Sequence, residues 1–137
     1  MSTKKRQRTI LVVDDETSDR ESLRRILEEE GYIVLIAADY RQAVITHQLH
    51  LGEINLLLTA IALPGKNGYE LEKALFRSDP KLKVLFVSGP TGAEVSRFYN
   101  MPVTGPHLLD KPVRPADLLH RVRRAFRSRI RPYAQGA

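Results

Sequence analysis

INLLLTAIALPGKNGYEL, residues 54–71, holds a complete structural unit. Ile54 to Ala60 form an apolar, strand-like run. Pro64-Gly65 then makes a turn. A helix is predicted from about Gly68, with Tyr69, Leu71, Ala74 and Leu75 at helical spacing, ending near Asp79-Pro80 because proline cannot continue it. A strand, a turn and a helix in this order present whatever stands where the strand stops, and that residue is Ala60, a methyl group.

The same alternation runs along the whole chain. TILVVDD (9–15) reads as a central strand, followed by a helix that Thr17 or Ser18 can cap. Asp19 and Glu21 fall in its first turn, Leu23, Ile26 and Leu27 form its apolar stripe, and Gly31 stops it. YIVLIA (32–37) is a second strand, and Asp39 can cap a helix to about His50 with Ala43, Val44 and His47 on one face. KVLFVS (83–88) makes a fourth strand. Residues 89–106, with three glycines and three prolines, leave room for a short helix over about 92–99. HLLD (107–110) is a brief fifth strand. Pro115 takes the first position of a last helix whose stripe is Leu118, Leu119, Val122, Ala125 and Phe126, with Arg121, Arg124 and Arg127 facing the other way. Strands alternating with amphipathic helices predict an α/β fold, a three-layer (βα)5 flavodoxin-like sandwich on a five-stranded parallel sheet of order 2-1-3-4-5.

At 137 residues the chain is expected to form one domain over 9–128, with a basic disordered N-terminal tail (1–8) and a C-terminal tail (129–137). No apolar run approaches membrane-spanning length, and MSTKKRQR lacks the apolar stretch of a secretion signal, so a cytoplasmic protein is expected. The absence of cysteine excludes disulfides and thiolate chemistry, and four histidines without ligand spacing argue against a zinc enzyme. The net charge of +6 is concentrated at the ends: residues 1–8 hold four Lys/Arg and residues 120–133 six Arg, with no acids in either, leaving 12 basic against 16 acidic residues between them. With no aromatic interleaving of the kind that stacks bases, the reading is solvated ends, and a nucleic-acid partner is not expected.

In such a sheet the ligand site lies at the carboxyl ends of the strands. The residues there are Asp14 and Asp15, Ala60, Ser88 and Lys111. Adjacent carboxylates suit a hard cation such as Mg²⁺, while a hydroxyl and an ammonium are donors suited to a phosphoryl group. On VVDDE, LLTAIALPGKNGYEL, FVSG and LLDKPVRPADLLHRV, each at a strand end, the chain resembles the receiver domain of two-component response regulators over roughly residues 9–128. The resemblance implies Mg²⁺ held by Asp14, Asp15 and the carbonyl of Ala62, a hydroxyl switch at Ser88, a phosphate partner at Lys111 and a switch-aromatic position at Leu108. It puts Ala60 where the family has its phospho-acceptor aspartate.

Alanine has no lone pair to accept a phosphoryl group, so a locked switch with weakened Mg²⁺ binding is expected. Thr59 next door is nucleophilic, but period-2 alternation turns it away from the site. The chain then reads as a natural pseudo-receiver or as a variant whose acceptor has been replaced. The resemblance implies a non-enzyme expected to act through contacts of residues 89–111 with a histidine kinase, phosphotransferase or output protein, with homodimerisation left open and no membrane partner. Other readings are a phosphorylation-independent binding module, an Arg-rich last helix on nucleic acid, and an aspartate-dependent phosphatase. The last is disfavoured because its two aspartates are usually separated by one residue. The acidic, glycine-free DDETSD turn repels nucleotide phosphates.

Overall fold

The computed structural model describes residues 7–89 and 107–127, and the helix expected near 92–99 lies outside them. The elements in order are β1 (Thr9–Val13), α1 (Thr17–Glu29), β2 (Ile33–Ala37), α2 (Tyr40–Leu49), β3 (Leu56–Ala60), α3 (Gly68–Ser78), β4 (Lys83–Ser88), β5 (Leu108–Asp110) and α4 (Pro115–Arg127). The five strands pair in parallel in the order β2-β1-β3-β4-β5, as the sequence predicted.

Alternation along the strands divides the core into two layers. Leu11, Val13, Leu57, Val84 and Phe86 pack on one face against Ala43 of α2 and Tyr69, Leu71 and Leu75 of α3. Ile10, Val12, Leu56, Leu58, Leu85, Val87 and Leu109 pack on the other against Leu23 and Leu27 of α1 and Leu118 and Val122 of α4. Each such side chain taken fully from water contributes about 1.5–3 kcal/mol, and β1 and β3 are buried on both faces, so they anchor the fold. β2 has one strand neighbour, and its Ile33 and Ile36 remain exposed.

The helix starts show where local chemistry differs from its reading in sequence. Asp39 caps α2 by accepting the Gln42 N–H at 2.8 Å, as expected. Neither Thr17 nor Ser18 caps α1: both lie inside its first turn, and the capping position falls to Glu16, which makes no side-chain cap bond. The reason is Asp14, whose Oδ1 accepts the Glu16 N–H at 3.0 Å and turns the chain into the helix from below. Asp19 stays in the first turn, whereas Glu21 sits beyond it and pairs with Arg24. α3 is entered through a capping box that the sequence reading passed over, Asn67 accepting the Glu70 N–H and Glu70 accepting the Asn67 N–H. At the other end of the chain, Arg121 does not face outward with Arg124 and Arg127. Its Nη1 donates to the Leu108 carbonyl at 2.6 Å and its Nε lies 3.3 Å from Asp117, which satisfies a carbonyl on the edge strand β5.

Gly68 holds α3 against the end of β3. Its N–H donates to the Ile61 carbonyl at 2.7 Å, and a β-carbon built on it would stand 2.3 Å from the Ala60 carbonyl oxygen. That contact is with backbone, which cannot swing aside. Gly68→Ala is therefore expected to lose about 1–3 kcal/mol, read as a lower urea midpoint at unchanged m. An unchanged midpoint would mean that α3 shifts freely relative to β3.

Candidate functional site at the carboxyl edge of the sheet

The register brings the predicted residues to one edge. The last β1–β3 pair is Val13↔Thr59 and the last β3–β4 pair is Ala60↔Val87, so Asp14 and Ala60 leave the sheet side by side, with Ser88 one residue beyond. Ser88 pairs with Asp110, and the Lys111 N–H then donates to the Ser88 carbonyl at 3.3 Å. The Lys111-Pro112 peptide is cis.

Alternation sorts these side chains by face. Asp14 continues the Ile10, Val12 side, Ala60 the Leu56, Leu58 side and Lys111 the Leu109 side, all toward α1 and α4. These three belong together. Asp14 is fully buried, and its Oδ2 lies 3.0 Å from Lys111 Nζ. Its carbonyl accepts Arg20 Nη1 at 2.7 Å, so both the main chain and the side chain of this residue are held. Lys111 Nζ also reaches Asp19 Oδ2 at 2.8 Å. Burial pulls the Lys111 pKa down, but the hydrogen bonds and charges of Asp19 and Asp14 outweigh it and leave the ammonium above its ordinary value. The Lys111 side chain is therefore charged at neutral pH. Ala60 is nearly buried at the strand end.

Ser88 is turned away from this group. It follows Val84 and Phe86 on the opposite face, and its hydroxyl donates to Asp110 Oδ1 at 2.7 Å. Thr59, on that same face, donates to the Ala60 carbonyl at 2.9 Å, as alternation predicted. Asp15 and Ala62 are exposed in the loops after β1 and β3. Leu108 is half-buried against the core on the α2 and α3 side. The structure thus joins Asp14 and Lys111 directly and keeps Ser88 apart from both. It adds two residues to the site, Asp19 and Asp110. Period-2 counting along HLLD could have found Asp110, because it places that side chain with Ser88. For Asp19 the sequence showed only a first-turn acid.

Among the described residues no three His, Asp or Glu side chains converge as a metal cluster. The acidic edge still has one feature that suits a cation: the buried Asp14 Oδ2 already faces one, the Lys111 ammonium at 3.0 Å.

An open parallel sheet of this order, with a buried acid and a lysine meeting at its carboxyl edge, defines a flavodoxin-like α/β module. The chain belongs to the response regulator receiver domain family, whose profile matches residues 10–123. It is 34% identical over 121 residues to the transcriptional regulatory protein AruR of Pseudomonas aeruginosa, covering 86% of this chain and 49% of that one. It is 36% identical over 115 residues to the aerobic respiration control protein ArcA of Escherichia coli K12, covering 83% and 46%. Among solved structures, a CheY-like receiver domain from Methanospirillum hungatei superposes with a TM-score of 0.72 at 34% identity, covering 87% and 93%. The chain spans about half the length of AruR and ArcA. Among the described residues no helix is long and apolar enough to cross a membrane.

Proposed function

We propose that this chain is a receiver module of a two-component system that takes no phosphoryl group, because Ala60 occupies the acceptor position. The observation that carries this reading is the arrangement around Ala60: it leaves the sheet beside Asp14, on the face where Lys111 is held, with a methyl group where nucleophilic transfer needs a carboxylate. Phosphorylation would add roughly −1.5 to −2 charge and draw hydroxyl and lysine toward it. Here the lysine is already satisfied by Asp14 and Asp19, and the hydroxyl by Asp110. Nothing remains to pull either side chain into a second arrangement, so the module stays in one state and signals by contact.

Receiver domains bind Mg²⁺, which neutralises the acidic edge and phosphoryl oxygens. Asp14, Asp15 and the Ala62 carbonyl would hold it here, with water completing its shell. Asp14 would have to share Oδ2 with the Lys111 ammonium 3.0 Å away, so binding is weak. The docking surface is assigned to residues 89–111, of which Gly89 and His107 to Lys111 are described, and its partner is a histidine kinase, phosphotransferase or output protein.

Incubation with a small phosphoryl donor and Mg²⁺, followed by intact mass, tests the acceptor assignment. The chain as written is expected to gain no phosphate, and Ala60→Asp to gain one that is lost on base treatment. A stable adduct on the present sequence, or none on Ala60→Asp, would overturn it.

A further inference from the structure

Arg8 and the last turn of α4 meet at the opposite end of the sheet, where the strands begin. Arg8 immediately precedes β1, and its carbonyl accepts the Ile33 N–H at 3.0 Å. Its guanidinium lies 4.6 Å from the ring centre of Phe126, in the last turn of α4. Gln7 Nε2 donates to the Gly31 carbonyl at 3.1 Å, so residues 7 and 8, assigned by sequence to a tail, are fastened to the fold. Tyr32, at the start of β2, packs its ring 5.9 Å from that of Phe126. These groups line a cleft of about 960 Å³ together with Arg123 and Arg127.

Three arginines and two aromatic rings thus share one cleft, although they come from residues 8, 32 and 123–127. In sequence Tyr32 stands far from these arginines; in space its ring packs beside them against Phe126. Two carboxylates also line the cleft: Glu30 lies 3.9 Å from Arg123, too long for a strong bond, and Glu53 is engaged by His50 at 2.9 Å. Among the described residues no carboxylate pairs with Arg124 or Arg127.

We infer that this cleft binds single-stranded nucleic acid, the arginines taking phosphates and the rings stacking on bases. Arginine suits the role because its planar fork matches phosphate oxygens in pairs, and a ring stacks on any base. A duplex keeps its bases paired inside and would offer the cleft phosphates alone. An acidic peptide offers carboxylates without planar groups for Tyr32 to meet.

The test is fluorescence anisotropy of the full chain with a labelled single-stranded oligonucleotide of about 15 nucleotides. Three phosphate contacts at about −0.7 each predict a log-log salt slope of about −2, or roughly 15-fold weaker binding between about 50 and 200 mM salt. Arg127→Ala is expected to weaken binding several-fold and reduce the slope by about 0.7. Tyr32→Leu keeps apolar bulk and should weaken binding about tenfold at unchanged slope. Arg41→Ala, which removes the same charge from the exposed side of α2, should leave binding unchanged. Circular dichroism melts establish that each variant is folded. The proposal is overturned by no binding at low salt, by equal affinity for the matching duplex, by equal competition from polyglutamate, or by an equal loss in Arg41→Ala.

Discussion

Replacing Lys111 by methionine should destabilise the protein by about 2–4 kcal/mol. The substitution keeps the length and most of the volume of the side chain, so packing changes little. What changes is the electrostatics of Asp14. That carboxylate is 0% exposed, and Lys111 Nζ is the cation at its Oδ2, 3.0 Å away. Removing one partner of a buried ion pair leaves the other charge desolvated, which costs about 3–5 kcal/mol when both are fully enclosed. Lys111 is 22% exposed, so water reaches its end of the pair and lowers the expected loss. A neutral pair is the control: Lys111→Met combined with Asp14→Asn removes both charges, and the asparagine oxygen can still accept the Glu16 N–H. The double variant is expected to recover most of the loss, giving a coupling of about 1–3 kcal/mol in a urea-denaturation cycle. Asp19→Asn should cost below about 1 kcal/mol, because that carboxylate is 42% exposed and its pair with Lys111 is screened. Equal losses at Asp14 and Asp19 would show that burial does not set the energetics of this edge.

The contrast between those two acids shows what the sequence could and could not reveal. Asp14 follows five strand residues and was placed at the edge by counting, because a strand fixes where its last residue points. Ala60 and Lys111 were legible for the same reason. Ser88 was not, although the same counting applies: assigning it to the Lys111 side overlooked that it continues the Val84 and Phe86 face, where Asp110 waits. Asp19 depended on how α1 sits on the sheet. A lysine 92 positions away reaches it across the edge, and no local pattern carries that distance. The helix starts followed the same division. Asp39 caps within one turn of its own helix and was read correctly; Thr17 lost the capping position because Asp14, outside the helix, bends the chain first. At the far end, Tyr32 and Phe126 became neighbours only when β2 and α4 folded beside each other.

Placing a carboxylate at position 60 should make the protein's stability depend on Mg²⁺. In the chain as written, Asp14 and Asp19 share one lysine, and Asp15 is in solvent. Ala60→Asp adds a further negative charge beside Asp14, on the face where Lys111 already serves two acids. Like charges at such distances disfavour one another's ionised forms, so the variant should unfold at a lower temperature than the parent in chelator. A divalent cation reverses the sign of that interaction, since three carboxylates then become three ligands. At a free Mg²⁺ concentration about tenfold above its dissociation constant, binding to the folded state alone contributes about 1.4 kcal/mol, or roughly 4 °C in Tm for a chain of this size. The parent, with two carboxylates and a competing ammonium at Asp14, should shift by about 1 °C or less over the same range. Thermal melts of both proteins in chelator and across a Mg²⁺ series, at constant ionic strength, separate the two cases. A parallel rise in both would place the cation away from residue 60. A fall in Tm of the variant as Mg²⁺ is added would mean that Asp14, Asp15 and residue 60 do not face a common point. The larger response of the aspartate variant is the expected result, because the cation then meets an uncompensated charge that alanine at this position never creates.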